Sequence, residues 1–246
     1  MTRELPRRRR AAPRPRLFFS FRSPFSWLLV HQLRRRLPEG WRDVTFIPYW
    51  EPDAATERAL GERGARIQYA PMSRAKHLYI LQDTKRLAAR QGLRIAWPVD
   101  RRPWWEPSHL GWLMARRLGR EAQFYDQVSA ARWERGEDIS DPAVVRDVAG
   151  RAGLDGELIA GAVDDPAIRA EGVQCLVDAY EDDIFGVPYL RLGWHRFWGL
   201  DRLDDFLAQY RPAELAADGG EPLAGIPAEL QAGAGAYDTD SAGGCG

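Results

Sequence analysis

LFFSFRSPFSW, residues 17–27, reads as a strand that turns directly into a helix. Leu17–Phe21 is a short aromatic run suited to a buried strand. Ser23 precedes Pro24, so a serine hydroxyl can cap the first turn while proline occupies a position whose N–H lacks a helical partner anyway. Phe25–Leu37 continues the helix, and Pro38 with Gly40 ends it. Val44–Tyr49 (VTFIPY) predicts a second strand, and Pro48 puts its end near an edge or a bend. A helix of this length can cross over between parallel strands, so the chain opens β–α–β.

From Glu51 to Asp183 no stretch has strand character. Ser73–Arg90 has helical spacing, capped by Ser73 and closed by Gly92. Leu110–Leu118, Arg120–Arg135, Asp141–Ala152 and Pro166–Asp183 have it too, separated by Gly136, Gly153 and Asp164–Asp165. Strands return at Pro188–Leu192, expected as an edge, and at His195–Trp198, joined by a tight turn at Gly193–Trp194. A last helix is expected from Asp201 through Tyr210. The order βαβ, helical block, ββα predicts an α/β protein: a thioredoxin-like core (residues 17–50 and 184–212) interrupted by an all-helical insertion (residues 51–183).

The 246 residues fit one large domain, and 45% apolar content is ample for its core. The formal charge is zero, yet Met1–Arg16 carries seven arginines against Glu4, while Ala213–Gly246 carries six acids and neither Lys nor Arg. Both ends lack apolar periodicity, which predicts a disordered Arg-rich arm (1–16) and a disordered acidic tail (213–246). The arm can bind an acidic partner or simply be solvated. Seven arginines within sixteen residues, beside a neutral body, do not make a nucleic-acid signature. No apolar run reaches the roughly 20 residues of a membrane span, and no apolar region follows the arm to make a secretory signal. Two cysteines, Cys175 and Cys245, make neither a disulfide framework nor a four-cysteine zinc site. A cytoplasmic protein is expected.

Three segments can carry chemistry. Ser23 stands in the positive field of a helix N-terminus, where its hydroxyl can stabilise a thiolate or carboxylate, or act only as a cap. Val187-Pro188 precedes a strand where a cis proline can hold open a backbone edge for a peptide-like ligand. Arg196–Leu203 (RFWGLDRL) ends a strand in Gly199 and starts a helix at Asp201, again either a carboxylate site or an ordinary cap. Trp97, Trp104, Trp105 and Trp112 either wall a cleft for a planar substrate or fill the helical core. His31, His77, His109 and His195 show no metal-ligand spacing and read as surface or structural residues. Cys175 reads as a buried, inert thiol.

Together these segments resemble the 2-hydroxychromene-2-carboxylate isomerases and kappa-class glutathione transferases, on the DsbA-type thioredoxin fold. The resemblance spans about Leu17 to Tyr210. It rests on FRSPFSW at Phe21–Trp27, on Lys76, Tyr79 and Asp83, on ARWERGEDISDP at Ala131–Pro142, on FGVP at Phe185–Pro188 and on RFWGLDRL. It implies that Ser23 is the active-site serine holding the sulfur of glutathione or another low-molecular-weight thiol. It implies that Val187, beside a cis Pro188, pairs with the thiol's backbone, and that Leu200 and Asp201 receive its γ-glutamyl end. Arg22, Trp104 and Trp105 would line the substrate side, and the protein would be a homodimer. Ser23 and Ser26 occupy both cysteine positions of a CxxC pair, which excludes dithiol exchange there.

Two positions depart from the family pattern. The loop Gly61–Pro71 has no Asn where a Gly-Asn-Pro-Pro-like loop helps bind glutathione, and Ser20 replaces a common acid. The expected activity is thiol-dependent isomerisation of a conjugated small molecule. Conjugation of the thiol to an electrophile is the alternative, and a non-catalytic partner-binding module is the rival of another class.

Overall fold

The computed structural model describes residues 14–38, 43–68 and 72–210. The arm up to residue 13 and the acidic tail lie outside the described residues. Four strands, β1 (Arg16–Phe19), β2 (Thr45–Pro48), β3 (Tyr189–Leu192) and β4 (His195–Trp198), form one mixed sheet in the order β2-β1-β3-β4. β1 pairs with β2 in parallel, Leu17 opposite Phe46, and with β3 antiparallel, Leu17 opposite Leu190. Its Leu17, Phe18 and Phe19 are fully buried because helices or strands cover them on every side, which is why the strand is apolar without alternation.

α1 (Pro24–Arg36) makes the crossover from β1 to β2, capped by Ser23 and carrying Arg34, Arg35 and Arg36 in its last turn, where cations meet the negative end of the helix. Between β2 and β3 the described chain is helical: α2 (Ala54–Glu62), α3 (Arg74–Arg90), α4 (Glu106–Arg117), α5 (Glu121–Ser129), α6 (Pro142–Arg151), α7 (Gly156–Ala160) and α8 (Pro166–Glu181). A π turn, Ala130–Glu134, continues α5. After β4 a short 3-10 turn, Leu200–Arg202, leads into α9 (Leu203–Gln209). The α/β architecture read from the sequence is the one observed.

Several expectations need correcting. β1 begins at Arg16, inside the segment assigned to the arm, because its guanidinium pairs with Asp182. β3 is an inner strand, not an edge: the free side of β1 takes it up, and β4 covers its other side. Asp201 does not cap a helix. It lies within the 3-10 turn, and its carboxylate pairs with Arg202 at 2.8 Å. α2 was not anticipated, although Asp53 caps it through the Thr56 N–H. α4 starts four residues before the expected Leu110, since Pro107 is tolerated in a first turn.

One apolar cluster runs through sheet and helices, with Phe19 against Trp112 (centroids 5.2 Å apart) and against Tyr125 (5.5 Å). A second joins α1 and α3 to the π turn through Trp27, Leu28, Ala88 and Trp133, with the rings of Trp27 and Trp133 stacked at 6.2 Å. Asp182, just past α8, receives Arg16 of β1 and Arg191 of β3, fixing where the chain re-enters the sheet. Truncating Trp133 removes the centre of the second cluster. Trp133→Ala is expected to lose about 3–5 kcal/mol of unfolding free energy. Trp194→Ala, at a side chain 86% exposed on the β3–β4 turn, should stay within about 0.5 kcal/mol. Urea unfolding of both variants checks the contrast.

Candidate functional site

The turn between β1 and α1 is closed by the Ser23 N–H donating to the Ser20 carbonyl at 3.1 Å. Ser23 Oγ accepts the Ser26 N–H at 3.1 Å and donates to the Val187 carbonyl at 3.3 Å. That second bond is long for a hydroxyl donor, whose preferred separation is about 2.7–2.8 Å, so a stronger acceptor can displace it. The Val187–Pro188 peptide is cis, as the sequence led us to expect. The Val187 N–H has no partner among the described residues. The Pro188 carbonyl accepts the Gly199 N–H at 3.0 Å, which brings residues 198–201 against the same loop. Two glycines make this approach possible. A Cβ on Gly186 would stand 2.8 Å from Trp198 Nε1, and Gly199 has a φ of +98° that side chains rarely adopt.

These segments form one wall of a cavity of about 1700 Å³, and the helical insertion forms the other. Ser23, Arg22, Val187, Pro188, Leu200 and Asp201 all line it. Trp104 and Trp105 do not. Trp104 Nε1 donates to Asp53 at 3.3 Å, and Trp105 is buried at the start of α4 beneath the guanidinium of Arg22, 5.7 Å from its ring centre. The aromatic lining comes instead from Trp50, Trp97, Tyr79, Phe185 and Trp198, so of the four tryptophans singled out in the sequence Trp97 lines the cavity while Trp104, Trp105 and Trp112 do not. Arg22 pairs with Glu51 at 2.5 Å, and Arg66 from the loop lacking Asn also lines the cavity. Residues 69–71 of that loop lie outside the described residues.

His109 supports the site from behind, so of its two readings, surface or structural, the structural one holds. It is fully buried, with its ring stacked on Trp50 at 5.2 Å. Its Nε2 accepts the Phe21 N–H at 3.2 Å and lies 3.3 Å from Ser20 Oγ, while Nδ1 lies 2.7 Å from the Trp105 carbonyl. An N–H pointing at Nε2 and a carbonyl facing Nδ1 require the neutral ring protonated at Nδ1, with Ser20 donating to Nε2. Desolvation drives its pKa down to about 3, helped by the nearby Arg132 charge and opposed by the bond to Trp105. Ser20 Oγ also accepts the Arg22 N–H at 3.2 Å, so the loop is held at Ser20, Phe21 and Arg22. Cys175 is buried on α8, where desolvation pushes its thiol up to about 12, and it is not among the cavity residues.

Residues 16–211 match the DSBA-like thioredoxin domain. The chain belongs to the DsbA-like thioredoxin family. Within it, the chain is 28% identical over 198 residues to a 2-hydroxychromene-2-carboxylate isomerase of Sphingobium xenophagum, covering 78% of this chain and 95% of that one. A solved 2-hydroxychromene-2-carboxylate isomerase superposes with a TM-score of 0.61 at 23% identity, over 79% of this chain and 92% of that one. A probable DsbA oxidoreductase from Streptomyces coelicolor gives 0.60 at 17% identity, over 85% and 93%. The cytosolic disulfide reductase DsbM of Pseudomonas aeruginosa, solved with GSH, gives 0.52 at 16% identity, over 79% and 96%. Likeness at these identities establishes the fold. Ser23 and Ser26 stand at the start of α1, with no cysteine in the turn or its first helical turns.

A histidine held neutral in the fold makes stability depend on pH. Its folded pKa lies below the ordinary value of 6.5, so its contribution is complete above pH 6.5. It is lost as the pH falls toward 3, because the unfolded chain takes up a proton that the folded chain refuses. The slope of unfolding free energy in that window should be shallower in His109→Gln than in the wild type by up to about 1.4 kcal/mol per pH unit. Urea unfolding between pH 4.5 and 7 measures it, and equal slopes would contradict a buried neutral ring.

Proposed function

We propose that this protein is a thiol-dependent isomerase acting on a conjugated small molecule, with Ser23 holding the sulfur of glutathione or a similar low-molecular-weight thiol. The observation that carries this reading is the weakly held Ser23 hydroxyl, at the N-terminus of α1, facing the cis Val187–Pro188 loop across one large cavity. The similarity to a named 2-hydroxychromene-2-carboxylate isomerase points the same way.

The residues present fit a peptide-like thiol. The Val187 N–H has no partner among the described residues, and its carbonyl is held only by the long bond from Ser23, so both can pair with a ligand's backbone. A bound thiol supplies a nucleophile that is also a good leaving group, suited to reversible addition to a conjugated double bond. Ser23 turns its proton from the Val187 carbonyl toward the sulfur, and keeps its acceptor bond from Ser26 while doing so. The α1 N-terminus adds a positive field at the same point. Leu200 and Asp201, on the same wall, receive the thiol's amino-terminal end. The aromatic wall takes the planar substrate and keeps water from the reacting atoms. A cytoplasmic site of action belongs to this reading, since small thiols stay reduced there.

Ser23→Ala tests it. Loss of the cap lowers stability by only about 0.5–2 kcal/mol, so the fold survives. Loss of a hydrogen bond to a charged sulfur should weaken glutathione binding roughly 10–100-fold in calorimetry. Unchanged binding in the variant would remove Ser23 from the site. An unchanged substrate mass after turnover marks isomerisation, and an increase by the mass of the thiol would replace isomerisation with conjugation.

A further inference from the structure

Of the 17 residues of α3, only Thr84 and Ala88 are buried. The helix carries Arg74, Lys76, Lys85, Arg86 and Arg90 against Asp83 alone, and its Leu78 and Tyr79 are 43% and 56% exposed. Cations and apolar side chains shown together to solvent suit an acidic, partly apolar partner chain. The same helix helps to form the cavity that holds Ser23, through Lys76, Tyr79 and Arg90 among others. Arg90, like Arg66 of the same wall, has no carboxylate partner among the described residues. On the sheet-bearing wall, Leu203 and Asp204 of α9 line the cavity. Tyr210, stacked on Phe206, lies only about 9 Å along the helix from Asp204, so the chain that follows it starts close to the cavity.

That following chain is the charge complement of α3. Residues 213–246 carry Glu214, Asp218, Glu221, Glu229, Asp238 and Asp240 and neither Lys nor Arg, with Leu215, Leu223, Ile226 and Leu230 between them. They also carry Cys245, followed by Gly246, which repeats the cysteine–glycine pair of glutathione. Cys245 lies 35 positions beyond Tyr210, and a chain of that length reaches at most roughly 120 Å, so distance does not keep the thiol from any part of the cavity.

We propose that residues 211–246 seat on α3 across the mouth of the cavity and bring the Cys245 thiol to Ser23, so that the site is served by a thiol of the chain itself. The proposal rests on the reading that Ser23 holds a thiolate, and adds the source of the sulfur. The acids of the segment meet the cations of α3, and its apolar residues meet Leu78 and Tyr79. At the site the Cys245 thiol gives its proton to solvent, and the Ser23 hydroxyl and the α1 N-terminus hold the resulting thiolate. The Val187 N–H and carbonyl, free to pair with the backbone of a cysteine–glycine thiol, serve this pair as they would serve glutathione. A tethered thiol competes at a high effective concentration with any thiol from solution.

The test follows alkylation of Cys245 by iodoacetamide in the full-length protein, without added thiol, across pH 5–10, with peptide mass spectrometry separating Cys245 from Cys175. The wild type should show an inflection at least one pH unit below the ordinary thiol value of about 8.5. Ser23→Ala should return the inflection to about 8.5. Arg74→Glu combined with Arg90→Glu, at two exposed positions, should move it back in the same direction, and gives the answer even if Ser23→Ala fails to fold. Cys245→Ser, which removes the tethered competitor, should bind glutathione about 10-fold tighter than the wild type in calorimetry. An ordinary inflection in the wild type, as an unrelated acidic protein on α3 would leave it, would overturn the proposal. So would an inflection unmoved by Ser23→Ala or by the charge reversal, or a glutathione affinity unchanged in Cys245→Ser. Should the proposal fail while glutathione binding still weakens in Ser23→Ala, the thiolate reading of Ser23 stands. Glutathione binding that ignores Ser23 would remove both.

Discussion

A single hydroxyl joins two parts of the chain that lie 164 residues apart: Ser23 Oγ, capping α1, reaches the carbonyl of Val187. For that bond to exist, β1 must deliver the chain to the first turn of α1 at a fixed place. The insertion must also return the chain to the same end of the sheet. Leu17, Phe18 and Phe19 meet the first requirement by being buried on both faces of the sheet. Asp182 meets the second, because its contacts with Arg16 and Arg191 fix the end of α8 against β1 and β3. The cavity follows from this closure, with the sheet wall supplying the Ser23 hydroxyl, the Val187 backbone, Phe185 and Trp198, and the insertion supplying Tyr79, Trp97, Arg66 and Arg132.

Polarity at the site is graded by burial. His109 is kept neutral so that one nitrogen can accept the Phe21 N–H and the Ser20 hydroxyl while the other donates to Trp105. A protonated ring would have no acceptor there, which is the physical reason desolvation can hold its pKa so low without disrupting the loop. Arg132 cannot be neutralised in the same way and is therefore paired with Asp100 and sandwiched by indole rings. Ser23, by contrast, is only partly buried, and its bond to the Val187 carbonyl is long.

Local signals made much of this legible in the sequence. The Ser23-Pro24 cap, the Ser73 cap of α3, the Gly193–Trp194 turn and the apolar β1 are each encoded within a few neighbouring residues, and all four are observed. What stayed hidden depends on contacts across the fold. His109 meets Phe21 across 88 residues, and nothing near it in sequence marks it as a partner of the Ser23 turn. Trp105 and Trp97 look alike in a tryptophan-rich stretch, but α4 starts early, at Glu106, and this buries Trp105 and leaves Trp97 on the cavity wall. The inner position of β3 followed from which side of β1 remained open, and the π turn that carries Arg132 has no composition of its own.

The central claim is that this site stabilises a thiolate. The most direct measurement is the ultraviolet titration of the glutathione thiol bound to the protein, followed through the absorbance of its thiolate across pH 5–10. The account predicts ionisation at least one pH unit below the ordinary thiol value of about 8.5. A bound thiol that ionises at or above that value would contradict it, because the Ser23 hydroxyl and the α1 N-terminus would then not favour the charged sulfur.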